Sequence, residues 1–398
     1  MFSQGGGKMK KMKRYILGLL TVGLGMLIFG PISAQAQEDS QQAKTMVYYR
    51  AWRDKEMKGV NTSLTDENWL SMDDIPYGID IVNVFSYVPQ GQEDAAAPFF
   101  EKLKKSYVPN LHARGVKLTK AIDYSELLKI PYAGNFPTPE EFDAYANQLL
   151  DEHVRQYGLD GLDIDMETYP STTDIALSNG VIRALSKYIG PLAKNGTVFV
   201  YDTNGSNLNP LKDVADSFTY LGYQQYGSDD TRTARAIKDY TGVIPKEQFM
   251  PGLAFPEEQD RNRWYDAKEP YEESNIYKVA KYTAENKLYG MFLYALDRDG
   301  RTYNNFDLNH IVPSNFLWTK TAILQAKGFT LQETKNIALH HWERVGQGAE
   351  NYQTVLNRIN QARSIYEVNK VLLGSSDNFA NDGVSPQYDP MYELQLMK

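Results

Sequence analysis

Gly158-Leu-Asp-Gly-Leu-Asp-Ile-Asp-Met-Glu167 is the stretch on which the reading of this chain turns. From Leu159 to Glu167 polar and apolar side chains alternate with a period of two, the pattern of a strand. Asp163, Asp165 and Glu167 point one way, and Leu162, Ile164 and Met166 point the other. The apolar set asks for a covering layer. The carboxylates, with no Lys or Arg near them in sequence, are costly to enclose unless some hold a proton or a metal. Mutual repulsion raises the proton affinity of such a set, which is how a carboxyl group becomes a general acid. Asp160 falls out of phase and is expected to brace the Asp160-Gly161 turn.

Working outward, short apolar or β-branched runs alternate with amphipathic stretches from Thr45 to about Lys327. The expected strands are Met46–Trp52, Ile79–Tyr87, Val116–Ile122, Gly161–Met166, Thr197–Tyr201, Phe218–Gln224, Phe249–Ala254 and Tyr289–Ala295. The clearest helix starts at Thr138-Pro-Glu-Glu141, an N-cap with Pro at the first helical position and a capping Glu. Phe142, Tyr145, Ala146, Leu149 and Val154 follow on one face, and Gly158 ends it. Eight strand–helix units in this length predict a (β/α)8 TIM barrel over 45–327, with the acidic strand fourth and its carboxylates climbing towards the carboxyl end. The first and fifth units have the weakest patterns.

Beyond the barrel, Thr330-Leu-Gln-Glu333 and Ser364-Ile-Tyr-Glu367 are capping boxes, and Ile337, Trp342, Val355, Ile359, Val368 and Leu372 recur at helical spacing. These predict a three-helix bundle over 328–374. Residues 375–398, rich in Ser, Asp, Asn, Gly and Pro, read as a flexible, dispensable tail. At the other end Lys8, Lys10, Lys11, Lys13 and Arg14 precede an apolar run, Ile16 to Phe29, and then Ala34-Gln-Ala36. That is the pattern of a secretory signal peptide over 1–36, cleaved near Ala36, with 37–44 as linker. The run is too short to span a bilayer, so no stable membrane association is expected after cleavage, and the mature chain is expected to be an extracellular monomer.

Composition narrows the chemistry. The chain of 398 residues is 42% hydrophobic, carries a net charge of −8, and has no Cys. An acidic chain with no basic run outside its extreme N-terminus argues against a nucleic-acid binder. Without Cys there is no thiolate metal site and no cysteine nucleophile. Asp163-x-Asp165-x-Glu167 superficially matches a calcium loop, but Thr168 stands where that loop needs Gly, and Ile and Met intervene, so no metal or cofactor is expected. His112, His153, His310, His340 and His341 are read as remote from the acidic strand, and a Ser–His–Asp triad has no support.

Asp160-x-x-Asp163-x-Asp165-x-Glu167 resembles the fourth-strand signature of glycoside hydrolase family 18, which holds chitinases and endo-β-N-acetylglucosaminidases. Tyr48-Tyr-Arg-Ala-Trp52, Gln224-Gln-Tyr-Gly-Ser228 and Gly290-Met-Phe-Leu-Tyr-Ala-Leu-Asp-Arg-Asp-Gly300 are similar to the streptococcal and enterococcal immunoglobulin G endoglycosidases of the EndoS/EndoE type. The resemblance covers the barrel and not the accessory domains of the streptococcal enzymes. It implies hydrolysis of the chitobiose core of N-glycans on a glycoprotein, immunoglobulin G being one candidate. It implies a mechanism in which the substrate's 2-acetamido group is the nucleophile. Glu167 would be the general acid and base. Asp165 would orient the acetamido N–H while sharing a proton with Asp163. Gln224 and Tyr226 would hold the acetamido group, and Tyr294 would close the site. Tyr49, Arg50, Trp52, Trp264, Asp297 and Arg298 would bind substrate. Asp297 and Arg298 have the alternative of bracing one another, and Trp318 and Trp342 are expected in the core.

A chitinase is the nearest rival, but chitinases often carry a Ser-x-Gly-Gly turn after the third strand and a Trp before the last acid. Here stand Lys117-Leu-Thr-Lys-Ala-Ile-Asp123 and Met166. A non-catalytic glycan-binding barrel is the other rival, and the intact Glu167 speaks against it.

Overall fold

A computed structural model describes residues 42–258, 264–303, 308–375 and 383–398. The expected signal peptide lies outside the described residues, as does residues 37–41 of the linker. Eight parallel strands close into a barrel in sequence order. They are β1 (Lys44–Arg50), β2 (Ile81–Phe85), β3 (Lys117–Asp123), β4 (Gly161–Met166), β5 (Val198–Thr203), β6 (Tyr220–Gln224), β7 (Phe249–Ala254) and β8 (Gly290–Tyr294). Every expected strand is present. β5 runs two residues past its expected end, which brings Asp202 into the barrel. β1 starts inside the expected linker and ends early, where Ala51–Arg53 turns into a 3-10 helix.

Eleven α-helices are described: α1 (Glu93–Lys102), α2 (Val108–Ala113), α3 (Pro139–His153), α4 (Thr172–Leu185), α5 (Asp230–Asp239), α6 (Asn275–Asn286), α7 (Leu317–Ala326), α8 (Leu331–Val345), α9 (Tyr352–Gln361), α10 (Ile365–Leu373) and α11 (Pro390–Leu396). Among the described residues the connections after β1 and β5 contain only 3-10 turns, the two places where the sequence pattern is weakest. α3 starts as read. The Thr138 hydroxyl accepts the Glu141 N–H at 3.2 Å, the Glu141 carboxylate accepts the Thr138 N–H at 2.7 Å, and Gly158 beyond it takes φ +75°.

Two apolar layers follow from the strand alternation. Leu162, Ile164 and Met166 are buried in the large core between barrel and helices. Met46, Tyr48, Ile81, Val200, Tyr220, Met250 and Phe292 fill the barrel interior. No helix among the described residues is long and apolar enough to cross a membrane.

α8, α9 and α10 are the expected bundle, and Ile337, Trp342, Val355, Ile359, Val368 and Leu372 are buried as their spacing requires. Trp318 on α7 is fully buried too. The bundle belongs to the same compact unit as the barrel, residues 42–398. The Asn369 amide donates to Thr321 Oγ1 at 3.0 Å, and the Asn315 amide to the Leu373 carbonyl at 2.7 Å.

The expectation of a flexible tail is corrected over residues 383–398. Asp389 caps α11, accepting the N–H groups of Met391 and Tyr392, and also accepts the Tyr77 N–H at 2.9 Å. Glu393, 1% exposed, accepts from Arg344 Nη2 at 2.7 Å and pairs with His340 and His341 at 2.6 and 2.9 Å. Asp389-Pro390 is an N-cap followed by Pro at the first helical position, a helix start in the sequence that the polar composition around it obscured.

Candidate active site

The carboxyl ends of the strands surround a cleft of about 460 Å³ lined by Tyr48, Phe85, Asp165, Glu167, Asp202, Asn204, Gln224, Tyr226, Arg232, Glu257, Trp264 and Tyr294. β4 supplies its acidic wall as alternation demands. Asp163 is deepest and fully buried, Asp165 is half-buried one pleat higher, and Glu167, the first residue past the strand, is exposed. Asp163 Oδ2 accepts hydrogen bonds from Tyr48 Oη and Asn83 Nδ2, both at 2.7 Å. Burial nonetheless pushes its carboxyl up to about 7. Burial, then the charges of Glu167 and Asp163, push Asp165 up to about 7 as well, while the Gln224 amide donates to its Oδ1 at 3.2 Å. An exposed carboxyl group thus stands at the cleft surface, with two buried carboxyl groups of raised proton affinity behind it.

The opposite wall is aromatic. The Tyr226 and Tyr294 rings lie 6.1 Å apart, Trp264 is 6.1 Å from Tyr226, and Phe85 meets Tyr294 edge-on at 5.9 Å. Burial raises both tyrosine hydroxyls above their ordinary value, so they remain hydrogen-bond donors at neutral pH.

Across residues 47–293 the chain matches the family model of the TIM-barrel domain of the endo-β-N-acetylglucosaminidase EndoS. The chain belongs to this endo-β-N-acetylglucosaminidase family. It is a glycoside hydrolase. It is 51% identical over 370 residues to an endo-β-N-acetylglucosaminidase of Bifidobacterium longum subsp. infantis, covering 88% of this chain and 67% of that protein. It is 33% identical to endo-β-N-acetylglucosaminidase F2 of Elizabethkingia meningoseptica, covering 72% of this chain and 83% of that one. Among solved structures it resembles the apo endo-β-N-acetylglucosaminidase of Cordyceps militaris, with a TM-score of 0.62, 30% identity, and 72% and 91% of the two chains covered.

In this endoglycosidase the structure brings Asp163, Asp165, Glu167, Gln224, Tyr226, Tyr294 and Trp264 together, and removes other expected contacts from the cleft. Tyr49 is fully buried on the outer face of β1, donating to Asp54 Oδ2 at 2.5 Å; its neighbour Tyr48 points inward instead. Adjacent residues of a strand face opposite sides, and the barrel takes Tyr48. Arg50, 2% exposed, is enclosed by Asp297 (2.5 and 2.9 Å), Glu258 (3.1 Å) and Glu257 (3.3 Å), with its guanidinium 5.9 Å from the Tyr294 ring centre. Asp297 therefore anchors Arg50 behind the wall. Arg298 donates to the carbonyls of Pro256, Leu308 and His310 at 3.1, 2.6 and 2.9 Å, so its donors tie loops together and it lies outside the cleft lining. Trp52 is buried beside Arg50 and Phe85, outside the cleft lining. Asp160 stays out of the cleft as expected, but its carboxylate reaches across to the start of β3 and not within its own turn: it accepts the Leu118 N–H at 2.8 Å and meets Lys117 and His112, so one histidine touches the foot of the acidic strand.

Sequence reasoning missed Tyr48, Asn83 and Asp202. Continuing the alternation of β5 from Val198 and Val200 would have placed Asp202 on the inner face.

Proposed function

We propose that this endoglycosidase hydrolyses the β-1,4 bond of the N,N'-diacetylchitobiose core of N-glycans on glycoproteins, with retention, through an oxazolinium formed by the substrate itself. The observation that carries this reading is the pairing on one face of β4: Glu167 open to the cleft and Asp165 partly buried one pleat below it. Glu167 donates its proton to the glycosidic oxygen as the acetamido carbonyl oxygen attacks the anomeric carbon and the bond to the leaving sugar breaks. Asp165 accepts the acetamido N–H and offsets the positive charge that develops on the ring. Glu167, now a carboxylate, takes a proton from water as that water opens the oxazolinium, and the acetamido group is restored. Tyr226 donates to the acetamido oxygen, Gln224 accepts from the substrate, and Tyr294 shields the reacting carbon from bulk water.

The substrate class is supported by a second structure of the Cordyceps militaris relative, a variant in complex with fucosyl-N-acetylglucosamine-Asn. That is the chemistry an N-glycan leaves on its protein after such a cut. The basic, apolar and small-residue pattern of residues 1–36 supports export to where glycoproteins are met.

Glycan release from a high-mannose and a complex-type glycoprotein, immunoglobulin G among them, read by mass spectrometry, tests this. The protein should retain one N-acetylglucosamine per site. Glu167→Gln should abolish release with the fold intact, a loss of roughly 10²–10⁴-fold for general acid catalysis alone. Asp165→Asn should impair hydrolysis more than transfer from a preformed sugar oxazoline. Chitooligosaccharide cleavage without glycan release, or near-native activity of Glu167→Gln, would sink the reading.

A further inference from the structure

Asp202 stands beside Asp165, its register partner on the neighbouring parallel strand. Its carboxyl is buried, 2% exposed, at the edge of the cleft floor. Gln224 Nε2 donates to Asp202 Oδ2 at 2.5 Å and reaches Asp165 Oδ1 at 3.2 Å, so one amide group bridges the two acids. Gly222, the register partner of Asp202 on β6, makes the room: a Cβ there would stand 2.4 Å from Asp202 Oδ1. That Oδ1 is buried with no hydrogen-bond partner, which is far costlier for a carboxylate oxygen than for a neutral acid.

Asp163, Asp165 and Asp202 crowd one region of the barrel, and no ion pair among the described residues includes any of them. Three ionised carboxylates cannot share such a space, so protons are retained. Asp163 and Asp202 each leave Oδ1 buried without a partner, but Asp163 Oδ2 takes two donors at 2.7 Å, Tyr48 and Asn83, whereas Asp202 leans on the amide it shares with Asp165 and on a Tyr48 hydroxyl already donated to Asp163. We propose that Asp202 is a positioning residue for the reaction. It is a neutral carboxylic acid that fixes Asp165 through the Gln224 amide and leaves Asp165 as the carboxyl that ionises when the acetamido N–H is presented. Burial, and then the charges of Asp163 and Asp165, push its carboxyl well above the ordinary range, in keeping with that assignment. With both amide hydrogens turned to the carboxyl pair, Gln224 offers the substrate its carbonyl oxygen and acts there as an acceptor.

This inference rests on the role given to Asp165 above, and its test separates the two. Asp202→Asn is a permanent mimic of the neutral acid, since its carbonyl accepts from Gln224 and its NH2 replaces the OH. Asp202→Ala removes the bridge. In the full-length chain Asp202→Asn should keep kcat/KM within about threefold of wild type at neutral pH, while Asp165→Asn does not. Asp202→Ala should lower kcat about tenfold or more with KM little changed, because the reacting groups lose alignment. Infrared spectra at neutral pH should show a protonated-carboxyl C=O band that Asp202→Asn weakens, a change a purely structural role would not produce. Asp202→Asn as impaired as Asp165→Asn, an unchanged infrared band, or full kcat in Asp202→Ala would each overturn the proposal. If Asp202→Ala does not fold, the Asn variant still decides. If wild type releases no glycan, the functional reading fails, and the infrared band alone still reports whether Asp202 holds its proton.

Discussion

Tyr388→Ala measures how far the carboxyl-terminal segment is part of the fold. The ring is fully buried and packs on His341 with centroids 4.8 Å apart, and the Tyr388 carbonyl accepts from the buried Lys320 ammonium at 2.8 Å. Truncating a large buried aromatic removes its transfer free energy and leaves a cavity, about 3–5 kcal/mol. In a chain of this size that corresponds to a fall in Tm of about 4–7 °C. The hydroxyl behaves differently. It is buried without a hydrogen-bond partner, so Tyr388→Phe gives up nothing and relieves a desolvated group; its stability should stay within about 1 kcal/mol of wild type, or rise. Neither change touches the cleft, so kcat at a temperature where both variants are folded should match wild type. Thermal and denaturant unfolding followed by near-ultraviolet circular dichroism, with glycan release as the second readout, decides it. A Tyr388→Ala protein as stable as wild type would show that residues 383–398 add nothing to the barrel unit, and a Tyr388→Phe protein as damaged as the Ala variant would show that the hydroxyl has a role.

Two further outcomes follow from the cleft. Trp264, 40% exposed at the cleft edge, should serve as a stacking platform for a sugar ring; Trp264→Ala should raise KM by about five- to thirtyfold with a smaller effect on kcat, and an unchanged KM would leave it with a loop-packing role. The second outcome concerns pH. Asp163 is held up at about 7 by burial, so between its ordinary 3.8 and about 7 the folded protein keeps a proton that the unfolded chain has released. The contribution of this group to stability is fully present below that window and is lost as pH rises through it. Asp163→Asn removes the dependence, so its stability relative to wild type, from denaturant melts, should be more favourable at about pH 8 than at about pH 4.5; an equal difference at both values would mean that Asp163 is not held protonated.

The sequence by itself determined the class of fold and the line of acids. Period-two alternation is a local property of an extended backbone, so Asp163, Asp165 and Glu167 could be assigned to one face, and the capping residues of α3, α8 and α10 could be seen, without knowing what lay opposite. What it left open was every contact that depends on which strand neighbours which, and in what register. Tyr48 and Tyr49 are adjacent and alike, and only the phase of β1 in the closed barrel sends the first to Asp163 and the second to Asp54. Arg50 and Asp297 are 247 residues apart, and their pairing turned two expected sugar-binding groups into an enclosed ion pair. Arg298 was drawn away to three loop carbonyls by the same packing. Alternation along β5 puts Asp202 on the inner face, but its place beside Asp165, in the space that Gly222 leaves, is set only by the packing of β5 between β4 and β6. The carboxyl-terminal segment looked polar and loose, yet Glu393 finds Arg344, His340 and His341 on one helix some fifty residues earlier, and Tyr388 finds a buried slot. Local alternation and capping are short-range properties of the chain, while register, burial and charge pairing are set by the packing of segments distant in sequence, and in this enzyme that packing decided which groups reach the cleft.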